Sequence, residues 1–149
     1  KMWDSFNCQE YIKTFDISFD AATKDTYENV TRLGGVWESL INNIKFLVNL
    51  KDMKRHFIFS YVVSEYNFKE MVQAMEIIDD ITKDMIGTFK INFRQHVYWS
   101  SGAFTPEHVT AISVFEPSHL QHNEFLEQLE IINTHPRVSH NFHHLIKEV

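Results

Sequence analysis

Ser18, Asp20 and Arg32 are the side chains of this sequence best placed to do chemistry. A hydroxyl and a carboxylate stand together at the end of an apolar run, and a guanidinium follows where a helix meets Gly34-Gly35. Such a set grips a polar small molecule. The guanidinium matches a carboxylate bidentately, and ligands of α/β folds sit at the carboxyl ends of the strands. Each residue also has an ordinary structural role. Ser18 can bond neighbouring backbone, Asp20 can cap the turn that follows, and Arg32 near a helix C-terminus complements the dipole.

The elements that position these side chains follow from periodicity. Met2–Ile12 reads as a short helix with Trp3, Phe6, Tyr11 and Ile12 inward. Residues 14–21 read as a buried strand. A helix from Lys24 to Leu33 buries Tyr27 and Val30 and is stopped by the glycines. Trp37 to Leu50 carries Trp37, Leu40, Ile41, Ile44, Leu47 and Val48 at helical spacing. His56–Val63 is a second strand, and Gly87–Arg94 a third. Between them, Asn67 and Glu70 read as a capping-box pair opening a helix that buries Phe68, Met71, Val72, Met75 and Ile78. Thr105-Pro106-Glu107 opens a short helix, and Pro117 starts a last one to Asn133 with Leu126, Leu129 and Ile132 inward. The remainder reads as a polar, histidine-rich tail. Strands alternating with helices favour a parallel sheet.

Composition narrows the function. The 149 residues are read as one domain, 1–149, able to bury about 70% of the unfolded surface. A formal charge of -6 argues against a general nucleic-acid binder. No apolar run reaches the roughly 20 residues that span a bilayer. The single cysteine, Cys8, precludes an internal disulfide or a multi-thiolate metal site within one chain, and a cytoplasmic home is expected. Histidines cluster at His135, His140, His143 and His144, and His119 and His122 are spaced to share a metal on a helix. No carboxylate accompanies them in a recognisable motif, so no metal site is assigned. Asp79, Asp80 and Asp84 read as a solvated helix end.

The stretch DISFDAATKDTYENVTRLGGVWESLINNIKFL, with its S-x-D-A-x-T-x-x-T-Y and following R-x-G-G, resembles the fourth strand and subsequent helices of radical S-adenosylmethionine enzymes, SPASM-type members above all. FSYVVSEYNFKEM resembles that family's fifth strand and helix. FEPSHLQHNEFL and Thr134-His135-Pro136-Arg137-Val138 resemble the barrel's last helix and the segment after it. The likeness spans residues 10–145.

The resemblance implies half of a parallel (β/α)6 partial barrel: three βα units, a short N-terminal helix, and a C-terminal helix with its tail. It implies S-adenosylmethionine as cofactor, with Ser18 toward the ribose or methionyl part, Asp20 ordering the turn, and Arg32 facing the methionine carboxylate. The family's C-x-x-x-C-x-x-C is absent, so the 4Fe-4S cluster is expected only in an N-terminal half, and the chain alone is not catalytic. The other reading is a non-catalytic half-barrel that binds a ligand or partner. A bare first strand would favour homo-oligomers through the sheet edge, or pairing with the missing half.

Overall fold

The structure, a computed structural model, describes residues 9–51, 53–97 and 105–146. Four strands, β1 (Thr14–Ser18), β2 (Arg55–Val63), β3 (Gly87–Gln95) and β4 (Val138–His140), form one sheet in the order β1-β2-β3-β4, every pair parallel. Five α-helical segments join them: α1 (Lys24–Thr26), α2 (Trp37–Val48), α3 (Met71–Thr82), α4 (Pro106–Ala111) and α5 (His122–Asn133). The mixed α/β class and parallel sheet expected from the sequence are present.

The sheet has two unlike faces, and alternation along the strands creates them. Phe15 and Ile17 of β1, Phe57, Phe59, Tyr61 and Val63 of β2, Phe89, Ile91 and Phe93 of β3, and Val138 of β4 all join one hydrophobic cluster. Ile44 and Val48 of α2, Met71, Ala74 and Ile78 of α3, and Phe125, Leu129 and Ile132 of α5 complete it. Each fully buried phenylalanine contributes about 1.5–3 kcal/mol. The opposite face carries Thr14, Asp16, Ser18, Thr88, Lys90 and Arg94, all exposed. Its two central aliphatics, Ile58 and Val62, are half-buried and lie outside the cluster. Parallel sheets are normally covered on both faces. Here only one is.

Several expectations are corrected. The sheet has four strands rather than three, because the supposed tail contributes β4. Three short residues cannot announce a strand by periodicity, and tertiary contacts hold this one. His135 Nε2 meets Asp79 Oδ2 at 2.9 Å, so Asp79 is not simply a solvated residue of a helix end. Fully buried Phe142 packs on Phe125 and Phe115, with ring centroids 5.1 and 5.7 Å apart. β1 ends at Ser18 rather than residue 21. The helix expected from Lys24 to Leu33 is one α-turn continuing as a π-helical segment, Tyr27–Thr31, and Val30 is exposed. α2 stops at Val48, and α5 begins at His122, not Pro117. Most of Met2–Ile12 lies outside the described residues; Gln9–Tyr11 is a 3-10 turn with Tyr11 exposed.

Among the described residues no helix is long and apolar enough to cross a membrane.

Candidate functional site

The segment after β1 is built by hydrogen bonds from β2 and the turn before α3. Phe19 N–H donates to Ser60 O at 2.8 Å, which carries the parallel pairing one residue past the strand. Asp20 is buried: its Oδ1 accepts from Val62 N–H at 2.8 Å, and its backbone oxygen accepts from Asn67 Nδ2 at 3.0 Å. Asn67 Nδ2 also donates to Val62 O, while its Oδ1 accepts from Ser64 N–H. Asn67 therefore welds the ends of β1 and β2 together and makes no cap on the following helix. Buried Tyr61 closes the junction by donating to Asn67 O at 2.7 Å; burial pushes its phenol well above the usual value.

Glu70 is the residue that sequence reasoning misassigned. As a capping-box partner it would bond locally. Instead it reaches back across the sheet, and its carboxylate accepts from Ala22 N–H (2.6 Å), Thr23 N–H (3.1 Å), Thr23 Oγ1 (2.7 Å) and Thr26 Oγ1 (2.6 Å). The backbone N–H groups that open a helical segment form an anion site. In this molecule an internal carboxylate fills it. Thr23 adds the local cap, its hydroxyl accepting from Thr26 N–H at 3.3 Å. The signal was in the sequence as a threonine-rich turn facing an unplaced glutamate, but nothing local specified the pairing across more than forty residues.

Arg32 ends the π-helical turn, its N–H donating to Tyr27 O at 2.8 Å. Gly34 follows at φ 82°, a left-handed conformation that turns the chain toward α2. Arg32 Nη2 pairs with Asp20 Oδ2 at 2.5 Å. The carboxylate is nine-tenths enclosed, whereas the arginine side chain is 43% exposed. Of the three residues singled out from the sequence, Asp20 and Arg32 are thus joined to each other. Ser18 stands apart from that pair, exposed at the end of β1 on the open face of the sheet.

That open face holds a second arrangement. Register places Ser18 beside Ser60, Ser60 beside Asn92, and Asn92 beside Ser139, a polar row crossing all four strands. Ser60 Oγ donates to Asp16 Oδ1 at 2.8 Å, and Ser139 Oγ lies 3.3 Å from Asn92 Oδ1. Lys90 and Arg94 flank the row on β3.

At the carboxyl ends of β2 and β3, a hollow of about 410 Å³ is lined by Glu65, Thr110, Ser118 and His119 among others. His119 Nδ1 accepts from Gln121 N–H at 3.1 Å, so its proton sits on Nε2, 3.5 Å from Glu65 Oε2. His122 turns elsewhere, to Val114 O at 3.0 Å, and the two histidines share no site. His96 lies at the end of β3 between Val63 O (2.8 Å) and Val109 O (3.0 Å).

The donor set decides which groups the chain can hold. One cysteine, outside the described residues, cannot supply the three thiolates of an iron-sulfur cluster, so the cluster does not fit this chain. At the edge of β1 the Arg32 side chain is partly exposed beside its bond to Asp20, and Ser18 is exposed.

Comparison with protein families, curated proteins and solved structures finds no match to this chain.

Proposed function

We propose that the chain is the C-terminal part of a radical S-adenosylmethionine enzyme, contributing one wall of the cofactor site and no catalysis by itself. Ser18 and Arg32 would hold the ribose or methionyl part and the carboxylate of S-adenosylmethionine, and Asp20 would fix Arg32. When bound against a reducing cluster, that cofactor supplies the radical that initiates modification of a substrate. The cluster belongs to an N-terminal half, carried by the same polypeptide or by another chain.

The observation that carries this reading is the two-faced parallel sheet. Its order is sequential, α2, α3 and α5 pack on one side, and its other face is mostly polar. Such a sheet suits the wall of a barrel whose interior takes a ligand. The Asp20–Arg32 pair at the carboxyl edge agrees with a site there, since it holds a guanidinium at the strand end with part of its surface exposed.

Arg32 already has a carboxylate partner, and this favours a second reading: a non-catalytic module in which the pair is structural. Calorimetric titration of the full chain with S-adenosylmethionine and 5′-deoxyadenosine separates the two. The cofactor reading expects saturable binding that Arg32→Ala weakens while the fold stays intact. No binding of either compound at millimolar concentration overturns it.

A further inference from the structure

The polar face of the sheet presents an unusual distribution of charge for an acidic protein. Lys24, Lys69 and Lys83 each pair with a carboxylate on the surface, and Arg32 pairs with Asp20. Lys90 and Arg94 are exposed and make no ion pair among the described residues. Both stand on β3, two residues to either side of Asn92, which places each Cα about 7 Å from that of Asn92. The strand carboxylate of this face, Asp16, is two strands away and is engaged by Ser60, and Asp20, which meets the Val62 backbone, is engaged by Arg32.

Between the two cations lie groups with free hydrogen-bonding capacity. The Asn92 amide accepts from Ser139 at 3.3 Å, and its Nδ2 donors have no partner among the described residues. Ser60, next along the row, is buried and spends its proton on Asp16, so it offers nothing to a ligand. Ser139 lies beside Asn92 on the next strand. Neighbouring strands are about 4.8 Å apart, so Asn92 and Ser139 stand about that far apart across the sheet. Lys90 and Arg94 share the face with Asn92, one on each side of it along β3. A guanidinium and an ammonium flanking one position without a resident acid suit an oxyanion. Amide donors and hydroxyl acceptors beside it select hydroxyl groups.

We propose that this face binds a polyhydroxylated small molecule bearing one oxyanion, a phosphate or a carboxylate. Lys90 and Arg94 take the anion, and Asn92 and Ser139 take the hydroxyls. The site uses neither Asp20 nor Arg32, and it stands or falls separately from the cofactor assignment at the edge of β1.

The test is calorimetric titration of the full chain with ribose 5-phosphate, glucuronate, ribose and inorganic phosphate, repeated on Arg94→Met, Lys90→Met and Arg32→Ala. Saturable binding of ribose 5-phosphate or glucuronate is expected, whichever is tighter telling phosphate from carboxylate as the preferred anion. Ribose alone, or loss of either cation, should weaken affinity about ten-fold, the scale of one charge-assisted contact. Arg32→Ala should leave it unchanged. Inorganic phosphate alone should bind more weakly than the sugar phosphate. Absence of saturable binding of all four compounds at millimolar concentration overturns the proposal, as does binding indifferent to both Arg94→Met and Lys90→Met. Arg94 and Lys90 are exposed, so neither variant threatens folding, and far-ultraviolet circular dichroism checks that.

Discussion

Removing the Glu70 carboxylate should loosen the turn after β1, and the size of the effect follows from its four hydrogen bonds. Charge-assisted hydrogen bonds are worth about 1.5–3 kcal/mol, and a buried donor left without a partner costs about 1–3 kcal/mol. The two threonine hydroxyls can turn to water. The Ala22 N–H cannot do so readily, because Ala22 is 3% exposed. Contacts to a single carboxylate are not additive. Glu70→Ala should therefore cost about 3 kcal/mol, nearer one strong bond plus one orphaned amide than four independent bonds. Glu70→Gln keeps one carbonyl oxygen but turns an NH₂ toward donors, so it should cost roughly half as much. Urea unfolding followed by far-ultraviolet circular dichroism gives the stability. Hydrogen exchange at Ala22 and Thr23 gives the local effect, and protection there should fall in both variants. A Glu70→Ala protein within about 0.5 kcal/mol of wild type, with those amides still protected, would refute the clamp.

Gly87 opens β3 at φ 140°, and a Cβ built there would lie 2.1 Å from Arg55 O. Gly87→Ala should lose about 3 kcal/mol by urea unfolding, since both the backbone angle and the neighbouring carbonyl oppose it. His140 is buried on β4, accepting from Phe142 N–H through Nδ1 and donating from Nε2 to Asn133 Oδ1. Burial first, and then the neighbouring His143, hold its protonation below the ordinary value of 6.5. The folded state binds the proton less readily than the unfolded chain. Its contribution to stability is thus complete above 6.5 and declines as pH falls from there through the lowered folded value. His140→Gln should flatten the part of the stability profile that declines below 6.5, and an unchanged slope would exclude His140 as its source.

The sequence made the fold class legible where periodicity was strong. β2 and β3 are nine-residue strands of alternating burial, and α2 and α3 are amphipathic, so their existence followed from spacing. β4 is three residues long and takes its place from the Asp79–His135 contact and the Phe142 plug, both distant in sequence. No local signal carries that. The apolar look of His56–Val63 also concealed that Ile58 and Val62 face a different environment from Phe57 and Phe59. At the candidate site, Asp20 and Arg32 were visible as residue types, but their bond to each other was not. Asn67 and Glu70 were visible as capping residues because cap motifs are local, whereas their actual partners, Asp20 O and the Ala22–Thr26 turn, come from another βα unit.

These long-range bonds have an electrostatic consequence for where ligands can act. At the carboxyl edge of β1 the positive features are already answered: Glu70 fills the N–H cluster opening α1, and Asp20 meets Arg32. A new anion arriving there competes with a resident carboxylate, and only the exposed side of Arg32 remains for it. On β3 the balance is different. Lys90 and Arg94 face solvent with no acid on the neighbouring strand, since Ile58 and Val62 occupy the positions beside them. A formal charge of -6 repels anions at long range, but that field is screened beyond about 8–10 Å at physiological ionic strength. Close to the sheet the two local cations decide. The same fold thus separates two tasks on one surface, an edge whose charges are internally paired and hold a turn in shape, and an open face whose cations are left for an external oxyanion.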